Sequence, residues 1–277
     1  MLTEIDDPAA ALLAARYGAA PADARLRWNG VVETLLNHRS VRAYRADPLP
    51  AGTLETAIAA AQSAATSSNL QTWSVVAVED PARKARLAAI AAKQKHIVQA
   101  PLFLVWLADL SRLERVAEAQ GLEAEGLHYI ELLIVAIVDA ALAAQNAVVA
   151  VESLGLGTVY IGALRNDITA VARELTLPAH VMPLFGLCVG YPDETAPAAI
   201  KPRLALDAVL SREQYSAAGE GDAVAAYDAV FAAFQQSQGL PEERWSARAT
   251  GRVRTRASLH GRDKLREALR GLGFRLD

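Results

Sequence analysis

Residues 125–166 read EGLHYIELLIVAIVDAALAAQNAVVAVESLGLGTVYIGALRN. From Glu125 to Leu154 apolar residues run around much of a helical circumference, which predicts one long helix covered by neighbouring elements or by a second subunit. Its greasiest part, Leu132–Ala144, contains Asp139 and lies between Glu131 and Gln145-Asn146, too short and too interrupted to span a bilayer. Gly155 and Gly157 follow as helix-ending residues, since glycine accepts the positive φ of a C-cap. Thr158–Ile161 then reads as a buried strand. These glycines do not form a dinucleotide loop. In G-x-G-x-x-G the loop follows a strand and opens a helix, whereas here the glycines precede the strand and Gly162 comes two residues late.

Outward from that stretch, Trp73–Glu79, Leu102–Ala108 and Leu184–Val189 are rich in β-branched and aromatic residues and predict three more strands. Helices are expected from about Val31 to His38, from a Thr53 cap to about Ala65, over Arg83–Ala92 and Asp167–Leu175, over Asp222–Gln236, and as a pair between Glu242 and Arg270. Asp47-Pro48-Leu49-Pro50 is a turn, because a residue before proline avoids the α region. Four strands among helices, without a regular βαβ rhythm, predict an α+β fold rather than a doubly wound sheet. Residues 1–28, Ala-rich with Pro8 and Pro21, read as a loosely attached extension, 29–215 as the core, and 216–277 as a helical, Arg-rich excursion.

The 277 residues are 52% hydrophobic and 21% charged with a formal charge of −3, which excludes long disorder and a small disulfide scaffold. Cys188 stands alone, so no internal disulfide forms and no cysteine cluster awaits zinc or an iron–sulfur centre. His38, His96, His128, His180 and His260 show no metal-ligand spacing and read as surface or structural residues. No G-x-S-x-G elbow is present for a hydrolase. The opening MLTEIDDPAA lacks the positive n-region of a secretory signal, and the expectation is a soluble protein of the cytoplasm.

Four segments carry candidate binding chemistry. His38-Arg39-Ser40-Val41-Arg42 ends an apolar helix; in an extended chain His38, Ser40 and Arg42 point one way and Arg39 the other. Such convergent donors suit a phosphate, and a solvated basic turn is the other reading. Thr66-Ser67-Ser68-Asn69-Leu70-Gln71 offers hydroxyl and backbone donors suited to a polyol or a heterocycle rim, or is a plain helix-to-strand loop. Lys201-Pro202-Arg203 holds two cations apart across a stiff proline. Tyr160-Ile161-Gly162-Ala163-Leu164-Arg165 ends a strand in small residues that let a flat ligand approach the backbone.

HRSVRAY, ATSSNLQTWSVVAVED, KQKHIVQAP, DAALAAQNAVVAVESLGLGTVYIGALRN, PLFGLCVGYP and IKPRL occur in this order. Together they resemble the FMN-dependent nitroreductase superfamily, specifically its oxygen-insensitive NADPH nitroreductase and flavin reductase group, over about His38–Tyr215. The resemblance implies an intertwined homodimer with FMN at the subunit interface and the long helix packed on its partner. It implies phosphate contacts from His38, Ser40, Arg42, Lys201 and Arg203, and pyrimidine-edge contacts from Arg39 and Gln94. Thr66, Ser67 and Ser68 match residues beside the ribityl chain and ring. Tyr160, Ile161, Gly162, Ala163 and Arg165 match the segment against flavin N5, with Ala163 where many members carry glycine.

The resemblance also implies NADPH as donor and a flat acceptor such as a nitroaromatic, a quinone or free flavin. Catalytic side chains are not expected, because the flavin carries the chemistry. Where close members bind the NADPH 2′-phosphate with arginines, this chain has Glu242-Glu243 and no arginine before Arg244. From Arg244 to Arg275, both included, the chain has nine arginines and Lys264 against only Asp263 and Glu267. At four-residue spacing Arg248, Arg252 and Arg256 would share a helix face, as would Arg262, Arg266 and Arg270. This basic segment either docks on the acidic remainder or places Arg252 or Arg256 at the active-site mouth. Two further readings are a reductase supplying free flavin to a monooxygenase and a non-enzymatic flavin sensor that binds nucleic acid. The second lacks an aromatic-interleaved basic motif or a helix-turn-helix, so no nucleic-acid partner is expected.

Overall fold

The computed structural model describes residues 7–18, 26–196 and 198–277. In chain order the elements are α1 (Asp7–Tyr17), α2 (Gly30–Asn37), α3 (Thr53–Gln62), β1 (Trp73–Val78), α4 (Pro81–Ile90), α5 (Lys95–Gln99), β2 (Leu102–Asp109) and α6 (Ser111–Ala119). They continue as α7 (Ile130–Ser153), β3 (Gly157–Ile161), α8 (Ile168–Glu174), β4 (Val181–Gly190), α9 (Glu220–Ser237), α10 (Trp245–Val253) and α11 (Leu265–Gly271). All four sequence-predicted strands are present. They form one antiparallel sheet in the order β1-β2-β4-β3.

β2 is buried along its whole length. On one face Leu104, Trp106, Leu187 and Val189 meet Ala57 and Ala61 of α3 and Ala143, Ala144, Ala147 and Val148 of α7. The alanines lack side-chain bulk, so the helices approach the sheet closely, and large β residues fill the layer. Phe103 and Val105 alternate to the opposite face and are also fully buried.

α7 starts later than the apolar pattern suggests. Glu125–His128 is a short 3₁₀ turn, and Tyr129 is extended before Ile130 opens the α-helix. Length and composition alone would let the 24-residue helix cross a membrane, a test that the core helix of a soluble protein also passes. It serves instead as a core helix, with Leu133, Ala136, Ala140, Ala143 and Ala147 buried. Ile130, Ile134, Ile137, Val138 and Leu142 stay exposed on its other side.

Other local expectations shift for physical reasons. Gly52, at φ 84°, rather than Thr53 takes the N-cap position of α3, and Thr53 Oγ1 donates to Pro50 O at 2.7 Å. Gly155, at φ 81°, does follow the end of α7. Gly157, however, begins β3, where a Cβ would lie 2.7 Å from Val41 Cγ2 and 3.0 Å from Pro192. Its bareness is needed for a strand contact, not for a cap. Asp167 caps α8 by accepting from Ala170 N at 2.8 Å.

The contacts divide the chain into two compact units, Met1–Arg39 with Ala198–Leu259, and Ser40–Pro197 with His260–Asp277. Within residues 1–28, α1 is an integral part of the first unit, with Leu13 2% exposed. The buried Arg16 guanidinium donates to Leu36 O, His38 O and Lys201 O at 2.7–2.9 Å. Residues 1–6 and 19–25 lie outside the described residues. In the same unit Tyr227 of α9 stacks edge-on to Trp245, and the Asp228 carboxylate accepts from Ser246 N and Oγ at the start of α10. The second unit holds the sheet. Its C-terminal part brings Leu269 and Phe274 into a cluster with Ile168, Met182 and Leu184.

Candidate cofactor site

In the sheet unit, Ser40–Arg42 is laid along β3. Ser40 bridges Thr158, and Val41 N donates to Thr158 O at 2.9 Å. Val41 turns inward and is 3% exposed, so the pleat sends Ser40 and the exposed Arg42 to the other side. Tyr44 Oη donates to Val41 O at 2.8 Å and pins the run from below. Burial pushes that phenol far above its usual range, so it stays a neutral donor.

Beside this run, His96 Nε2 lies 3.0 Å from Gln94 Oε1. An amide oxygen only accepts, so the ring carries its proton on Nε2. Burial, and then the Arg42 charge, lower the His96 pKa, which keeps the ring neutral at pH 7. With Oε1 occupied, Gln94 is left to offer its NH₂ as a donor.

The 66–72 loop is shaped by an interaction that crosses the fold. Asp139, 2% exposed in α7, accepts from Thr66 Oγ1 at 2.6 Å, Ser67 N at 3.2 Å, Thr72 N at 3.2 Å and Thr72 Oγ1 at 3.0 Å. Gln71 N donates to Thr66 Oγ1 at 2.9 Å and closes the loop. Thr66 is half-buried, whereas Ser67 and Ser68 are exposed.

At the end of β3, Tyr160 is 37% exposed and meets Phe185 edge-on at 5.3 Å. Ile161 and Leu164 are buried, while Gly162 and Ala163 form the half-buried start of a 3₁₀ turn. Arg165 folds back to donate to Leu184 O at 2.6 Å, and its Nη2 lies 3.3 Å from where a Gly162 Cβ would sit. Its guanidinium therefore braces the turn, and burial lowers its pKa. Arg262 Nε donates to Asn166 Oδ1 at 3.0 Å and holds the far end of the same turn.

The remaining sequence-predicted residues belong to the other unit. His38 caps α2 with its N–H on Leu35 O, and Arg39 follows, half-buried. Arg16 joins His38 O to Lys201 O, Arg203 N donates to Arg16 O at 2.8 Å, and Arg203 Nη1 donates to Lys201 O at 3.0 Å. The Lys201 ammonium lies 6.0 Å from the Phe234 ring centre. Burial and then Arg203 lower the Arg16 pKa.

The proposed Arg248–Arg252–Arg256 face is not one helical face. α10 ends at Val253 and Arg256 begins a 3₁₀ turn, while Arg248 pairs with Glu243 at 3.2 Å and lies over Phe231. Likewise Arg262 lies in a 3₁₀ turn ahead of α11, which carries Arg266 and Arg270.

The donor chemistry of the sheet unit fits FMN. Ser40, Arg42, Gln94, Ser67 and Ser68 offer hydroxyl, amide and guanidinium donors with no carboxylate among them, while the one Thr66 hydroxyl proton is held by Asp139. Of the nearby acids, Asp139 has both oxygens engaged, and Glu152 accepts from Thr158 Oγ1. Sequence reading alone missed Asp139, His96 and Arg16 as supports. Asp139 sat inside a quoted motif, but its partners lie 67–73 residues away in sequence.

Sequence profiles match the Nitroreductase family over residues 35–191 and the Nitroreductase family C-terminal domain over residues 201–277. The chain is 39% identical over 223 residues to an FMN reductase (NADPH) of Bacillus subtilis, spanning 79% of this chain and 89% of that protein. It is 40% identical over 218 residues to an oxygen-insensitive NADPH nitroreductase of Salmonella typhimurium, spanning 78% and 87%. A solved structure of the NADPH:FMN oxidoreductase from Vibrio harveyi complexed with NAD+ superposes with a TM-score of 0.79 at 33% identity, covering 90% of this chain and 100% of that one.

Proposed function

The chain belongs to the nitroreductase family and is an NAD(P)H-dependent FMN oxidoreductase, and on that premise we propose that it works as a cytoplasmic homodimer reducing flat acceptors such as nitroaromatics or quinones. The observation that carries this reading is the run Ser40–Arg42 laid on β3 beside the Gln94–His96 pair. The Arg42 charge acts on the His96 ring, which supports reading the phosphate-type and ring-edge donors as parts of one site. FMN held by these residues would supply the redox chemistry, hydride and electron transfer between reduced nicotinamide and the acceptor.

The side chains bind and orient. His38, Ser40, Arg42, Lys201 and Arg203 are each proposed as FMN phosphate ligands on the strength of the family pattern, since cations form short, charge-assisted bonds with a phosphate. Arg39 and the Gln94 NH₂ are assigned to the pyrimidine edge, where a donor or cation stabilises negative charge on the reduced ring. Thr66, Ser67 and Ser68 are assigned to the ribityl chain and ring. Tyr160, Ile161, Gly162 and Ala163 form the floor on the N5 side, and Arg165 keeps that turn in shape. Hydride transfer needs aligned, closely spaced reactants and little acid–base help, so positioning is the protein's main contribution. The alternative reading is a reductase that supplies free reduced flavin to a monooxygenase, and the name of the B. subtilis relative, FMN reductase (NADPH), supports it. The exposed Ile134, Ile137, Val138 and Leu142 of α7 are proposed as the dimer face.

Initial rates measured against donor at several acceptor concentrations test the two-stage cycle. Parallel double-reciprocal lines are expected, and intersecting lines would refute it. Arg42→Ala and Lys201→Ala are each expected to weaken FMN binding by about 1.5–3 kcal/mol. Unchanged affinity in both, by equilibrium dialysis, would refute the phosphate assignment.

A further inference from the structure

We propose that Asp139 is a positioning residue that sets the shape of the 66–72 loop for flavin binding. The inference rests on the assignment of Thr66, Ser67 and Ser68 to the flavin given above.

A carboxylate buried in a helix is costly unless every acceptor site finds a donor. The neighbours of Asp139 on the inward face of α7 are alanines, Ala136, Ala140 and Ala143. Packing alone therefore needs only a small apolar side chain at this position. The chain instead keeps a charge there and satisfies it with four donors, all from one loop. Two of the donors belong to Thr66 and Ser67, where the loop begins, and two to Thr72, where it ends. One side chain thus closes both ends of the loop.

Closure matters because the loop would not hold its shape unaided. Ser68, Asn69 and Gln71 have φ of 48°, 56° and 52°, left-handed values that L side chains adopt unfavourably. Three such residues in four positions persist only when surrounding contacts over-determine them. The loop exposes Ser67 and Ser68 while Asp139 stays 2% exposed. Asp139 therefore acts through the loop and not by touching a ligand.

The geometry also predicts which substitutions matter. Asp139 Oδ2 takes three of the donors and Oδ1 the fourth. In Asp139→Asn, either amide orientation sets NH₂ against a backbone N–H, of Thr72 or of Ser67. Thr72→Val removes one hydroxyl donor at nearly constant shape, and Thr72→Ser restores it.

The test is FMN titration of the apoprotein by quenching of flavin fluorescence, with visible circular dichroism of the bound flavin and apoprotein melting recorded in parallel. Asp139→Asn is expected to raise the FMN dissociation constant about tenfold or more and Thr72→Val by several-fold, as the loss of one or two buried bonds implies. Both variants should alter the flavin dichroism, while Thr72→Ser should stay near the wild type in both. Unchanged affinity and dichroism, with only a lower melting temperature, would make Asp139 a fold brace and overturn the inference. If Asp139→Asn does not fold, the two Thr72 variants decide by the same readings. A wild-type protein that takes up no FMN would instead overturn the functional reading and this inference with it.

Discussion

His96 shows how one side chain orients another. Its ring N–H occupies Gln94 Oε1, and burial followed by the Arg42 charge holds its pKa below the ordinary 6.5. A depressed pKa means that the unfolded chain binds the proton more tightly. The neutral ring's contribution to stability is then complete above about pH 6.5 and is lost as the pH falls through that value towards the folded one. Urea midpoints at about pH 7.5 and 5.5 should therefore drop more for the wild type than for His96→Gln, and equal drops would contradict the assignment. Gly157 makes a steric point at the same scale. Gly157→Ala drives a methyl into Val41 and Pro192 and should cost about 1–3 kcal/mol in thermal or urea unfolding. Adding Val41→Ala should recover part of the loss. The candidate donors at 38–42 and 66–68 stand out in the sequence because short polar and basic side chains cluster there. Their supports do not. His96 read as an ordinary histidine, and Arg16 lay in an Ala-rich segment that reads as a loose extension.

Among the elements, the strands were the easiest to read, since β-branched and aromatic runs name a pleated, buried surface directly. The break at Tyr129 was not legible, because apolar residues continue on both sides and only backbone geometry separates the 3₁₀ turn from α7. α7 itself carries two messages on two faces. Alanines face the sheet, and larger apolar residues, Ile134, Ile137, Val138 and Leu142, remain exposed. A contiguous exposed apolar face marks an association surface. Val138→Glu should shift the protein from dimer towards monomer in light scattering after size exclusion and weaken FMN retention. A variant that stays dimeric with full FMN would contradict α7 as the interface.

Across the whole molecule, both family profiles align and the chain divides into two units, neither of which is one continuous stretch of sequence. Composition marks where a chain becomes basic or Ala-rich. Packing instead returns His260–Asp277 to the sheet unit through Leu269 and Phe274, apolar residues that an Arg-rich pattern hides. The central claim concerns the molecule as a whole: the fold is a scaffold for FMN reduced by nicotinamide. It is tested most directly by the absorbance spectrum of the purified protein, followed by anaerobic titration with NADPH and then NADH. Flavin bands near about 370 and 450 nm, bleached by about one equivalent of nucleotide and more efficiently by NADPH, are the predicted result. A protein that stays colourless after incubation with FMN, or a bound flavin that neither nucleotide bleaches, would contradict it.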